Sequence, residues 1–213
     1  MGVLFDCDGV LVKSERLVCE IEVELLGRWG WELTAEDARR LFKGKPFAAI
    51  AAAVADRLGD RLPADWMYHW AMETANGFRK RLQEVEGVRA VIEKVVGAGL
   101  PTCVASQSPQ PRAELSLGVC DLERYFEGRV FTSSLVQRPK PAPDLFLFAA
   151  EKIGVEPAQC TVIEDSPSGV VAARAANMRV LGYAADEDAA RLQEAGAEVF
   201  SSMAEVPALL GLT

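Results

Sequence analysis

Two hydrophobic rhythms alternate in blocks along this chain. The first apolar run, Leu4-Phe5, ends on Asp6-Cys7-Asp8-Gly9 and resumes as Val10-Leu11. A short continuous run bounded by a turn signal reads as a buried strand, and it delivers two aspartates, one residue apart, to a turn that Gly9 permits. From residue 14 to about 82 the period is helical. Leu17, Val18, Ile21 and Leu25 share one face, with Gly27 expected to close that helix. A second helix is expected from Thr34, with Asp37 as its capping-box acid. Gly44, Lys45 and Pro46 break the chain before a helix carrying Ile50, Val54 and Leu58. Pro63 is expected to open another, with Trp66, Trp70, Thr74, Phe78 and Leu82 along one side. No strand pattern interrupts this stretch.

From Gly87 the texture changes to helix alternating with short apolar strand. Val88, Val91, Ile92 and Val95 make a helix ended near Gly97 and Gly99. Strands follow at 101–105, at Arg129-Val130-Phe131, at Cys160-Thr161-Val162-Ile163, at 179–183 and at Glu198-Val199-Phe200, with helical stretches between. Helices between strands imply parallel pairing through right-handed crossovers. The expected fold is α/β, a doubly wound parallel sheet with an inserted helical domain: residues 1–13 and 85–213 form the core and 14–84 the helical insert. Segments near Lys13 to Ser14 and Arg81 to Gly87 are the expected hinges.

Composition narrows the function. The 213 residues are 50% hydrophobic, enough for a substantial core. A formal net charge of -8 argues against general affinity for nucleic acid or anionic membranes, which need a basic footprint. The longest apolar runs fall short of a bilayer span, and Met1 leads into a strand without a basic leader, so a soluble, cytoplasmic protein is expected. The five cysteines form no CxxC pair, against a zinc site or disulfide framework. Oligomeric state is expected to be a monomer or weak dimer.

Ligands of doubly wound sheets bind at the carboxyl ends of the strands. Those ends present Asp6 and Asp8, then Ser106, then Glu164-Asp165-Ser166, with Lys140 arriving on a loop. Clustered carboxylates without His or Cys ligands suit a hard cation such as Mg²⁺, held by Asp6, Asp165 and, in one reading, Glu164. Such a cation would draw a small phosphorylated metabolite into an otherwise acidic cleft. Asp6 could then attack phosphorus, and Asp8 could protonate the leaving oxygen and later deprotonate water. Ser106 would hold phosphoryl oxygens and Lys140 would offset their charge.

The segments FDCDGVLVKSE, VASQS, KPAPD and VIEDSPSG, in that order, resemble the four motifs of the haloacid dehalogenase (HAD) superfamily, and the helical stretch after the first resembles its inserted cap. The resemblance implies a phosphoaspartate mechanism with Asp6 as nucleophile and Asp8 as acid/base. It implies Ser106 and Lys140 as phosphate binders, joined by Gln107 beside the motif serine, and Asp165 as metal ligand. Asp8 would bind the metal through its carbonyl. Glu164 is either a ligand, directly or through water, or a residue that orients one. Within the superfamily the chain looks most like the β-phosphoglucomutase-like phosphatases of sugar and polyol phosphates. Val18 stands where mutases of that group resemble one another in having histidine, and Phe47 stands where their cap loop carries arginine; both departures favour hydrolysis, with a phosphomutase as the alternative. Lys43 and Lys45 are candidates for contact with an anionic substrate. His69, the single histidine, and the four tryptophans are expected to pack within the insert.

Overall fold

A central parallel strand must be apolar on both faces, and β1 (Gly2–Phe5) has no exposed residue. The computed structural model describes residues 1–42, 45, 47–185 and 189–212. After β1 come α1 (Ser14–Arg28), α2 (Ala35–Phe42), α3 (Phe47–Leu58) and α4 (Trp66–Arg81). The chain then alternates: α5 (Val88–Gly97), β2 (Thr102–Ser106), α6 (Gln110–Val119), β3 (Val130–Thr132), α7 (Asp144–Lys152), β4 (Cys160–Glu164), α8 (Pro167–Ala175), β5 (Arg179–Tyr183), α9 (Ala189–Glu194), β6 (Glu198–Phe200) and α10 (Val206–Leu209).

The strands form one sheet in the order β3-β2-β1-β4-β5-β6, with every pairing parallel. Strand order reverses between β1 and β4, which places the crevice of a doubly wound sheet at their carboxyl ends. Phe5 is level with Val104 of β2 and with Ile163 of β4. The residues that follow them, Asp6, Ala105 and Glu164, therefore lie at one height at the carboxyl edge of the sheet. Asp6 extends the ladder by one bond, its N–H donating to the Ile163 carbonyl at 2.9 Å. Leu4, Cys103 and Val162 from the central strands pack against Phe146 and Ala149 of α7 and Val170 and Ala173 of α8, so the position of the carboxylates is set by buried apolar surface.

The chain divides into two compact units, Met1–Lys13 with Gln83–Thr213, and Ser14–Leu82. The helical unit has its own core, built from Leu25, Leu26, Ala38, Phe42, Ile50, Val54, Leu58 and Trp70. Its tryptophans go into packing: Trp29 meets Trp66 edge to face, Trp66 meets Trp70, and Trp31 meets Phe42. Thr34 and Asp37 form the reciprocal cap of α2, the Thr34 hydroxyl accepting from the Asp37 N–H at 3.1 Å and Asp37 Oδ2 accepting from the Thr34 N–H at 3.2 Å.

Three local expectations are corrected. Gly27 does not end α1; the helix runs on to Arg28, and the left-handed residue that releases the chain is Gly30 (φ +86°). A glycine inside a helix costs about 1 kcal/mol relative to alanine, which the burial of Leu25 and Leu26 beside it outweighs. Pro63 does not open α4, which starts at Trp66 after Asp65. His69 is exposed, within 3.3 Å of Asp65 one turn earlier, because the buried side of α4 passes through Trp70. No helix among the described residues is long and apolar enough to cross a membrane.

Candidate active site

The turn after β1 is tight. Leu11 and Val12 N–H both donate to the Cys7 carbonyl, at 2.9 and 3.1 Å, and Gly9 N–H donates to Val12 at 2.9 Å. Gly9 sits at φ +84°, and a Cβ on it would collide with the Asp165 carboxylate. Only glycine meets both demands, the backbone angle and the close approach of the acid that follows β4. Gly9 therefore brings the β1 and β4 turns together.

Lys140 joins these ends. Its Nζ donates to Asp6 Oδ1 at 2.6 Å, to Glu164 Oε1 at 2.7 Å and to the Ala105 carbonyl at 2.9 Å, which uses all three ammonium donors. The ammonium also lies 4.7 Å from the centroid of the Phe146 ring. Its side chain is 1% exposed, as is that of Glu164. Burial works against the Lys140 charge, but Asp6 and Glu164 outweigh it and hold its pKa above the ordinary lysine value. For Asp6 burial dominates and pushes the carboxyl up, to about 8; Lys140 pulls it down, while Glu164 and Asp8 add to the rise. An ionised Asp6 thus calls for more positive charge than Lys140 supplies.

The other oxygen of Glu164, Oε2, accepts from the Asp165 N–H (3.0 Å), the Ser166 N–H (2.9 Å) and the Ser166 hydroxyl (2.9 Å). Ser166 in turn caps α8, accepting from the Gly169 N–H at 3.1 Å. Both oxygens of Glu164 are engaged by protein donors, Oε1 by Lys140 and Oε2 by the β4 turn, an arrangement that suits the orienting reading of this residue better than direct ligation. A Cβ at Gly169 would fall on the Glu164 carboxylate. Gly169→Ala should accordingly cost about 1–3 kcal/mol through overpacking and displace Lys140, read as a lowered denaturation midpoint together with reduced turnover.

Ser106, at the end of β2, is 1% exposed and its hydroxyl accepts from the Ser108 N–H at 3.1 Å. Gln107 is exposed, and its carbonyl accepts from the Ser133 hydroxyl at 3.0 Å. Two residues not singled out from the sequence reach Asp8: the Ser108 hydroxyl donates to Oδ2 at 2.6 Å and Arg112 Nη2 donates to Oδ1 at 3.2 Å. The available signal was a second hydroxyl two residues beyond Ser106 with an arginine one helical turn on. Cys7, between the two aspartates, is wholly buried; burial, then Asp8 and Asp6, raises its pKa well above normal, which leaves an inert thiol. Lys45 is exposed on the helical unit, and Lys43 lies outside the described residues.

Among the described residues no three His, Cys, Asp or Glu side chains converge as a closed metal cage. The donors present fit a more open site: the Asp6 carboxylate and the Asp8 carbonyl are hard oxygens of the β1 turn, the Asp165 carboxylate of the β4 turn stands against Gly9 of that turn, and Mg²⁺ is held by one or two carboxylates with water and substrate oxygens completing its shell.

The family model described as haloacid dehalogenase-like hydrolase matches residues 3–183. A phosphorylated carbohydrates phosphatase of Thermotoga maritima is 32% identical over 203 residues, 92% of this chain and 91% of the relative. A 6-phosphogluconate phosphatase of Escherichia coli K12 is 29% identical over 209 residues, 98% of this chain and 93% of the relative. Among solved structures, a HAD family hydrolase of Deinococcus radiodurans R1 with bound phosphate and sodium superposes with a TM-score of 0.82 at 31% identity, covering 99% of this chain and 94% of that one. The matched span runs from β1 to β5 and contains Asp6, Asp8, Ser106, Lys140 and Asp165, and the chain belongs to the haloacid dehalogenase-like hydrolase family.

Proposed function

We propose that the protein is a Mg²⁺-dependent phosphatase of small phosphorylated carbohydrates that works through a phosphoaspartate at Asp6. The observation that carries this reading is the buried triad Asp6–Lys140–Glu164 at the strand-order reversal, with Asp8 two residues from the nucleophile. Lys140 fixes Oδ1 of Asp6, leaving Oδ2 to attack phosphorus. The ester oxygen departs with a proton from Asp8, which then takes one from water as the water attacks the phosphoaspartate and regenerates Asp6. The Ser106 hydroxyl holds a phosphoryl oxygen. Lys140, whose hydrogen bonds are all internal, serves the phosphate as a nearby charge. Bound Mg²⁺, held by Asp6, Asp165 and the Asp8 carbonyl, would offset the negative charge gathered between carboxylates and phosphate.

The names of the T. maritima and E. coli relatives support the substrate class, and the helical unit inserted directly after the Asp6–Asp8 turn is where we place the choice among substrates. Phosphate release from a panel of sugar, sugar-acid and polyol phosphates tests the reading. Release from at least one of them should fall on the order of 10²-fold or more when EDTA replaces Mg²⁺. Halide release from a haloacid, EDTA-insensitive phosphate release, or isomerisation of β-glucose 1-phosphate without net phosphate release would each overturn it.

A further inference from the structure

Asp8 is gripped at both carboxylate oxygens by residues at the start of α6. Ser108 lies in the turn ahead of the helix, 8% exposed, and its backbone N–H is anchored to the Ser106 hydroxyl at the end of β2. From there its hydroxyl reaches Asp8 Oδ2 at 2.6 Å. Arg112 stands in the first turn of α6, its N–H donating to the Pro109 carbonyl at 2.9 Å, and its guanidinium reaches Asp8 Oδ1 at 3.2 Å. The pair is open to solvent on one side, Arg112 being 33% and Asp8 24% exposed at the side chain.

An aspartate on a turn has two side-chain torsions to settle, and proton transfer needs one oxygen within about 2.6–3.2 Å of the ester oxygen. Two donors, one on each oxygen, Ser108 anchored to the end of β2 and Arg112 in the first turn of α6, define the carboxylate plane where burial alone would not. The structure assigns Ser108 and Arg112 as a two-point clamp that aims Asp8 for proton transfer; we propose them as positioning residues of the reaction, Arg112 being the part no sequence motif marked. The inference rests on the reading of Asp8 as the proton donor of a phosphatase.

Its chemical signature comes from the leaving group. A sugar alkoxide is a strong base and must be protonated as it departs, whereas 4-nitrophenolate leaves without a proton. A mis-aimed Asp8 should therefore damage the hydrolysis of alkyl phosphates selectively. The comparison belongs in kcat/KM, which ends at phosphoryl transfer to Asp6 and so excludes the later step in which Asp8 serves every substrate alike.

Ser108→Ala, Arg112→Met and Arg112→Lys would be assayed with the best sugar phosphate of the wild type and with 4-nitrophenyl phosphate, alongside thermal melts. For Arg112→Met and Ser108→Ala, kcat/KM on the sugar phosphate should fall about 10²-fold, the lower range of acid–base contributions, while the aryl ester changes by less than about threefold. Arg112→Lys, which keeps a donor but not the guanidinium geometry, should recover part of the loss. Equal losses on both esters would mean a structural role, and unchanged kinetics on both would mean no role; either result overturns the clamp. If the wild type releases phosphate from neither ester, the phosphatase reading itself has failed and the clamp falls with it.

Discussion

Asp6→Asn should abolish turnover, by about 10⁴-fold or more, and leave the protein at least as stable as the natural one. The two halves of this expectation come from the same three charges. With Asp6 ionised, the state that attack on phosphorus requires, Asp6, Glu164 and Lys140 carry a net charge of -1 in a site where Lys140 and Glu164 are each 1% exposed at the side chain. Asparagine keeps an oxygen for the Lys140 ammonium but removes the surplus charge, so the remaining Lys140–Glu164 pair is balanced. The amide oxygen has no anionic pair with which to attack phosphorus. A melting temperature unchanged or raised, together with loss of phosphate release, is the expected pair of readings. A large loss of stability would mean that the carboxylate of Asp6 is structural.

Lys140→Met should do the opposite to stability. It leaves two buried carboxylates facing each other without their cation and strips the Ala105 carbonyl of its donor. Removing one partner of a buried ionic network typically costs about 3–5 kcal/mol, and Asp6, already raised by burial, would be driven further toward holding a proton. Activity should fall with it, because a protonated Asp6 is not a nucleophile. Urea denaturation of Lys140→Met and of the double variant Lys140→Met/Glu164→Gln separates this cause from simple loss of packing. The second substitution should restore part of the stability lost in the first, since it removes a surplus carboxylate while Glu164→Gln alone is destabilising. Additive losses in the double variant would contradict the electrostatic explanation.

The sheet and most of the site were legible in the chain because both are written in local terms. A parallel central strand needs an unbroken apolar run, and Leu4-Phe5 and Thr161-Val162-Ile163 supply it. The residues that follow such strands must share one edge, so Asp6, Ser106 and the Glu164-Asp165 pair could be grouped before any distance was known. Helix boundaries were less legible where two signals compete. Gly27 and Pro63 each carry a strong local preference that the helices override: burial of Leu25 and Leu26 carries α1 past Gly27, and α4 starts three residues after Pro63.

The side-chain directions of Glu164 and Arg112 lay beyond the pattern for a different reason. Residue type left Glu164 open between a ligand and an orienting residue, and only the direction of its two oxygens, toward Lys140 and toward the Ser166 turn, favours the second. Arg112 resembles any solvated arginine in a first helical turn. Its reach to Asp8 depends on how the Ser108-Pro109 turn directs α6, which is set by the anchoring of Ser108 on Ser106. Side-chain direction after a loop is the quantity that residue type and spacing do not encode.

The central claim is that Asp6 carries the phosphoryl group. Borohydride reduces an acyl phosphate, so quenching the Mg²⁺-supported reaction of a good substrate with borohydride and sequencing the peptides by mass spectrometry reads the covalent site directly. Homoserine at position 6, absent without substrate and absent in Asp6→Asn, is the predicted result. Sustained phosphate release with position 6 unmodified, or with the reduced residue at another aspartate, would contradict the account.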